Sequence, residues 1–317
     1  MPSPQHTLRR LTRSALATRA GEAALRAVSP DVVSIFLWHS VGRVAAPFFD
    51  RAGIAAGTSS HCSLDAFSRH VGWIRSRFRI VSLAEALERL RAGERGYGWI
   101  AALTFDDGFR STAEEALPWL DAEGLPSTVF VNAASASGHW VKDRDLELLA
   151  LSRLGPGPGG RPRDAAESLA ALGMSRAAVA HESRAYAGWD QLRRLPASVS
   201  FGNHGDRHER LSALDPADAV REIEDGLAAL RRELQVGTVP YAFAFGQPDD
   251  ITDAARASAL ASHSAVLSAY GGFSWPGCGL GDVPRVPVFS SGEPKLLTEY
   301  AFPPRFLVRR AAARARG

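Results

Sequence analysis

The chain has almost no lysine. Of its 37 basic residues only Lys142 and Lys295 are lysines, and the other 35 are arginines. With many alanines alongside, that bias has the look of GC-rich codon usage rather than of a surface built to hold nucleic acid. The distribution of charge agrees. Residues 1–29 carry five arginines against one glutamate, and residues 303–317 carry five arginines and no acid. The whole chain has a formal net charge of only +3, so the stretch between the two basic ends is acidic. An acidic body with basic ends is not a nucleic-acid groove, and no nucleic-acid partner is expected. The ends are either solvated tails or weak contacts to an anionic membrane surface. Cysteine is nearly absent as well. Cys62 and Cys278 stand far apart and no C-x-x-C occurs, which excludes a cysteine-built zinc site. No apolar run is long enough to span a bilayer. The basic N-terminus has no continuous apolar core of the kind a secretory signal needs, so a cytoplasmic location is expected. No repeat at solenoid or propeller spacing is present.

The middle of the chain is richly patterned. Val32–His39 (VVSIFLWH) and Trp99–Asp107 (WIAALTFDD) are apolar runs of the kind expected for strands buried on both faces. Ser63 precedes a segment with helical spacing. Ser82 and Glu85 form a capping box before ALERLRAG, which Gly93 ends. A helix at 111–123, strands at 127–133 and 199–204, helices at 189–195 and 216–234, and a strand at 241–246 complete the reading. Alternating strand and helix means parallel β/α units, and hence a barrel-like domain. The Gly/Pro-rich 155–163 (GPGPGGRPR) marks a flexible insertion at about 153–180. The expected organisation is a basic extension over 1–29, a catalytic domain over 30–302 and a basic tail over 303–317.

Two patterns carry chemistry. Thr104-Phe105-Asp106-Asp107-Gly108 ends an apolar strand with two carboxylates, which are costly to bury unless paired or bound to a cation. Asp also favours the start of a helix, and a helix follows, so an N-cap is the competing reading. His204-Gly-Asp-Arg-His208 spaces two imidazoles by four, which on a helical turn places both on one face, as metal sites do. One carboxylate and two imidazoles leave coordination positions open for water and substrate.

On these residues the chain resembles the polysaccharide deacetylases, the NodB-homology or carbohydrate esterase 4 group, from about Val33 to Phe289. TFDDG at 104–108 and the stretch WDQLRRLPASVSFGNHGDRHERL at 189–211 are similar to the family's first two motifs. YAFAFG at 241–246 resembles its third, and LWHSVG at 37–42 resembles its opening segment. The resemblance implies a distorted (β/α)7 barrel. It implies a divalent metal, usually zinc, on Asp107, His204 and His208, with Asp106 as general base. It implies oxyanion stabilisation by the backbone N–H of Phe245, and an acetylated carbohydrate as substrate. The implied reaction is N-deacetylation of an N-acetylhexosamine glycan or precursor. An O-acetyl esterase, a small-molecule amidase or deformylase, and a carbohydrate-binding protein without turnover stand beside it. No organic cofactor is implied. The chain departs from the pattern in three places. Ala244 and Phe245 replace a Pro and a Tyr. The arginine that often steadies the catalytic Asp is missing from its usual place, and Arg285 is the candidate replacement, the alternative being a structural or surface role. The late Leu-x-His is absent, and His263 sits in a helical setting that fits it poorly. Relatives of that kind use the N-terminal His, which here is His39. Trp38, Trp140 and Trp189 are candidates for stacking on sugar faces, against core packing for each.

Overall fold

The computed structural model describes residues 19–43 and 61–288. The first 18 residues, Phe289 and the 303–317 tail therefore lie outside the described residues. Among the described residues ten strands and the helices between them are arranged in β/α order, the short β2 (Ser40–Gly42) and β3 (His61–Ser63) pairing apart from the main sheet. The ring strands are β1 (Val32–Trp38), β5 (Trp99–Phe105), β6 (Ser127–Val131), β7 (Val199–Asn203), β8 (Tyr241–Ala242), β9 (Val266–Ser268) and β10 (Val283–Pro287). Neighbours in the ring run in the order β1, β10, β9, β8, β7, β6, β5, and β5 closes back on β1 over Val32↔Trp99 to Trp38↔Phe105. Every pairing is parallel. The result is a closed seven-stranded (β/α) barrel, distorted because β8 is only two residues long and β9 three. The short β4 (Arg79–Ile80) adds to the lower half of β5.

The alternation of side chains explains the apolar runs. Val33 and Ile35 of β1 meet Ile100, Ala102, Phe130, Ala242, Leu267 and Val283 in one cluster. Residues from six strands of one ring can meet only inside it. Val32, Phe36 and Trp38 face the other way, onto helices such as α2 (Leu64–Arg75), with Phe67 edge-on to Trp38 at 5.2 Å. Both faces are covered, so β1 and β5 are apolar at nearly every position. Trp38 is fully buried in this outer layer and is a core residue, not a sugar platform.

The structure adds two features to the expected periphery of the chain. From residue 19 the N-terminal extension is a helix, α1 (Arg19–Val28), docked on the barrel. Its Leu25 is buried, Arg26 lies 3.9 Å over the Trp99 ring, and Glu22 pairs with Arg77. The segment expected as a flexible insertion holds two short helices, Ala165–Leu172 and Arg176–Ser183. A full capping box of Asp164 and Glu167 starts the first, and Ser175 caps the second. Their apolar sides cover the helix Asp143–Leu154 in a small core of their own. Glycine and proline fall in the turn before them, apart from Gly173, which caps the first helix in a left-handed conformation. Among the described residues no helix is long and apolar enough to cross a membrane.

Candidate metal centre and active site

The C-terminal ends of the strands bring the predicted residues together. His39 follows β1, Asp106 and Asp107 follow β5, and His204 follows β7. Asp107 has φ +73 and Gly108 φ +70. Two left-handed residues in succession turn the chain sharply, which lets adjacent carboxylates share one pocket instead of facing opposite ways. For a non-glycine residue that conformation costs roughly 1–2 kcal/mol, and Asp is among the few that tolerate it.

Asp107, His204 and His208 each present one ligand atom, and these atoms lie within 4.8 Å of one another. Oδ1 of Asp107 is 3.3 Å from Nε2 of His208 and 3.6 Å from Nε2 of His204. It is buried and accepts no hydrogen bond. His204 Nδ1 donates to the carbonyl of Ala242 at 2.7 Å, so its Nε2 is left with a lone pair aimed at the cluster. Burial lowers the pKa of His208 to about 3, which keeps it an unprotonated donor at neutral pH. An orphaned carboxylate oxygen facing two imidazole lone pairs is the arrangement a divalent ion would complete, and this donor set fits one such as zinc.

The two histidines are not on a helical turn. Residues 204–210 form a loop, with Gly205 at φ +87 and His208 at φ +63. Glu222 on the helix Pro216–Leu234 organises it. One carboxylate oxygen of Glu222 accepts from the N–H of Arg207 at 2.8 Å and of Glu209 at 3.3 Å, one on each side of His208. Asn203 adds a bond to the N–H of Gly205. The loop thus reaches by bracing the ligand geometry that the spacing suggested for a helix. His263 stands behind it. Nε2 of His263 accepts from Asn203, and Nδ1 donates to the Ala259 carbonyl, so this histidine is a buried support and not a general acid.

Asp106 is gripped by Arg285, whose Nη1 and Nη2 reach Oδ1 and Oδ2 at 2.6 and 2.9 Å. Both side chains are buried, Arg285 completely. Arg285 lies in β10 opposite Ile35, inside the barrel, and covers the Phe130 ring. Burial alone would raise the pKa of Asp106; Arg285, with His204 and His39 beside it, outweighs that and holds the carboxylate below its usual range. His39 is within electrostatic reach of both aspartates. Burial lowers its pKa against their pull, so it rests neutral at pH 7. The segment 241–246 is a strand only to Ala242. Phe245 then takes a left-handed turn (φ +64), and its ring packs on His208 at 4.9 Å under Arg210.

One residue of the site carried no sequence motif. Lys142 is buried and its Nζ is 2.5 Å from Oδ2 of Asp107. Behind it Asp145 accepts a hydrogen bond from Tyr186. Trp140 and Tyr186 line an adjoining cavity of about 170 Å³ with Arg110, His181 and Arg184. The indole N–H of Trp140 donates to the Arg207 carbonyl, and that of Trp189 to Ser137.

Residues 98–262 match the polysaccharide deacetylase family. The match spans just over half of the chain, and the chain belongs to that family. A search of curated proteins finds no matching relative. Among solved structures, a Streptococcus pyogenes deacetylase, PplD, determined in complex with acetate, is 18% identical with a TM-score of 0.61, over 87% of this chain and 100% of that one. IcaB from Ammonifex degensii is 17% identical (TM-score 0.57; 85% of this chain, 97% of that one). The BpsB deacetylase domain from Bordetella bronchiseptica is 18% identical (TM-score 0.55; 82% and 98%). At these identities the likeness establishes the fold.

Proposed function

We propose that this chain is a metal-dependent hydrolase that removes N-acetyl groups from an N-acetylhexosamine-containing glycan or glycan precursor. The observation that carries the reading is the unsatisfied Oδ1 of Asp107 facing His204 and His208, with a clamped carboxylate, Asp106, directly beside it.

Asp107, His204 and His208 would hold the ion. When bound, a divalent ion supplies Lewis acidity toward the acetyl carbonyl and the attacking water. Asp106 accepts the proton that leaves the water as its oxygen bonds to the carbonyl carbon. Arg285 fixes both oxygens of Asp106 and keeps the carboxylate ionised, so the base is in its working form at neutral pH. The backbone N–H of Phe245 is the donor for the developing oxyanion. When the C–N bond breaks, the proton that Asp106 took from the water passes to the leaving amine, with His39, within electrostatic reach of both aspartates, as its carrier. Because His39 rests neutral, it carries that proton only during turnover. Acetate and a free amino sugar result.

Asp106→Asn tests the reading, with zinc content and acetate release measured on N-acetylglucosamine oligomers and on O-acetylated sugars. Asn keeps the shape and loses the base. The expected result is near-stoichiometric zinc in both proteins, chelator-sensitive acetate release from N-acetyl substrates by the natural chain, and a loss of at least ~100-fold in the variant. Equal turnover by the two would remove Asp106 from the mechanism, and release from O-acetyl substrates alone would make the enzyme an esterase.

A further inference from the structure

In a chain with 35 arginines, a buried basic residue at the site is one of only two lysines. An ammonium is a compact point charge, whereas a guanidinium is a planar fork. Lys142 uses that compactness. Its Nζ reaches Oδ2 of Asp107 and leaves Oδ1 untouched. Its stem passes the Phe109 ring, with Nζ 4.9 Å from the centroid, and the Tyr186 ring lies 6.0 Å away. Asp145, held by the Tyr186 hydroxyl, is within electrostatic reach of it. These walls leave the ammonium little freedom to move from Asp107.

The charges of the site form pairs. Asp106 is matched by Arg285 and Asp107 by Lys142. Before any ion binds, Asp106 and Asp107 each already have a cation. A divalent ion therefore enters against a fixed positive charge, and finds one free oxygen on Asp107 where an unpaired carboxylate would offer two. We propose that Lys142 is a resident cation of the metal centre: it restricts Asp107 to a single ligand oxygen, holds the metal-free site in order and weakens the hold on the divalent ion. The inference rests on the ligand assignment of Asp107, His204 and His208.

The consequence is that removing the charge tightens the site. Two like charges near one carboxylate oppose each other, and in a buried site that opposition is weakly screened. Lys142→Met keeps the length of the side chain. Zinc affinity of the full chain, measured by competition with a chromophoric chelator, should rise roughly tenfold or more in this variant. The melting temperature of the chelator-treated variant should fall below that of the natural chain, because Asp107 is then buried and unpaired. Its gain on adding zinc should be the larger of the two. Lys142→Arg retains the charge but brings a fork that can hold both oxygens of Asp107, so its zinc affinity should fall below the natural one. If the Met variant does not fold, Lys142→Gln keeps a donor to Oδ2, lacks the charge and carries the same expectation of tighter zinc. Should the natural chain bind zinc while neither neutral variant binds it more tightly, the role given to Lys142 is wrong and the ligand set stands. A natural chain that binds no zinc would overturn both.

Discussion

Breaking the Arg285–Asp106 pair should be expensive in a way that depends on pH. The pair is bidentate, with bonds of 2.6 and 2.9 Å, and neither side chain reaches solvent to any useful extent. Arg285→Met removes the guanidinium and leaves a buried carboxylate with no cation in hydrogen-bond contact. Removing one partner of such a pair typically costs about 3–5 kcal/mol. At roughly 2–4 °C per kcal/mol for a domain of this general size, the melting temperature should fall by about 6–20 °C at pH 7.5. In the natural chain the folded-state pKa of Asp106 is depressed. Its stabilising share is therefore present above the unfolded carboxylate value and is lost as the pH falls below it. In the variant, burial is unopposed by Arg285 and raises the same pKa, so the folded state prefers the protonated acid and the penalty grows as the pH rises. The stability gap between the two proteins should thus narrow toward pH 4. Denaturant melts of both chains from pH 4 to 8, in chelator, measure it. Asp106→Asn with Arg285→Met should cost less than the sum of the two single changes, since neither then strands a charge. A gap under about 1 kcal/mol at pH 7.5, or strict additivity, would refute the claim that Arg285 is the counter-ion of the base.

Two further outcomes follow from how the histidine loop is braced. A Cβ at Gly226 would sit 2.5 Å from Oδ1 of Asn203 and 2.6 Å from the Gly205 carbonyl carbon, so Gly226→Ala should destabilise by about 1–3 kcal/mol and weaken zinc binding, although alanine is the better helix former by up to about 1 kcal/mol. Equal zinc affinity in a chelator competition would show that the helix and loop are not packed as described. Burial lowers the pKa of His263 to about 4, below its unfolded value near 6.5, so the unfolded chain takes up a proton first as the pH drops. Stability from this group is complete above about 6.5 and is lost as the pH falls toward 4; His263→Gln should make the stability profile of the metal-free protein flatter by up to roughly 1 kcal/mol per pH unit across that window, and an unchanged slope would count against it.

The barrel was legible because parallel strands covered on both faces must be apolar throughout, and VVSIFLW and WIAALTF are. The chemistry was legible wherever a motif ends a strand: Asp106, Asp107 and His204 fall at such ends. The helical turn read into His204–His208 was the informative failure. Spacing by four fits a helix, yet it equally fits a loop whose N–H groups converge on one oxygen of Glu222, fourteen residues further on. A single sequence cannot distinguish the two, because the bracing residue has no local signature. Of the two readings of Trp38, core packing is the one the structure bears out; alternation says that neighbouring strand residues face opposite sides, but not which side is the barrel's interior. Lys142 shows the limit most clearly. It lies between motifs, in a segment whose pattern suggested nothing, and its importance comes only from the chain folding back to bring it to Asp107, 35 positions earlier. Its rarity was visible from the composition alone. A lysine kept inside a chain that otherwise uses arginine asks what a guanidinium would spoil, and the answer is the one free oxygen of Asp107: a fork wide enough to hold both carboxylate oxygens, as Arg285 holds those of Asp106, would leave nothing for an ion to bind.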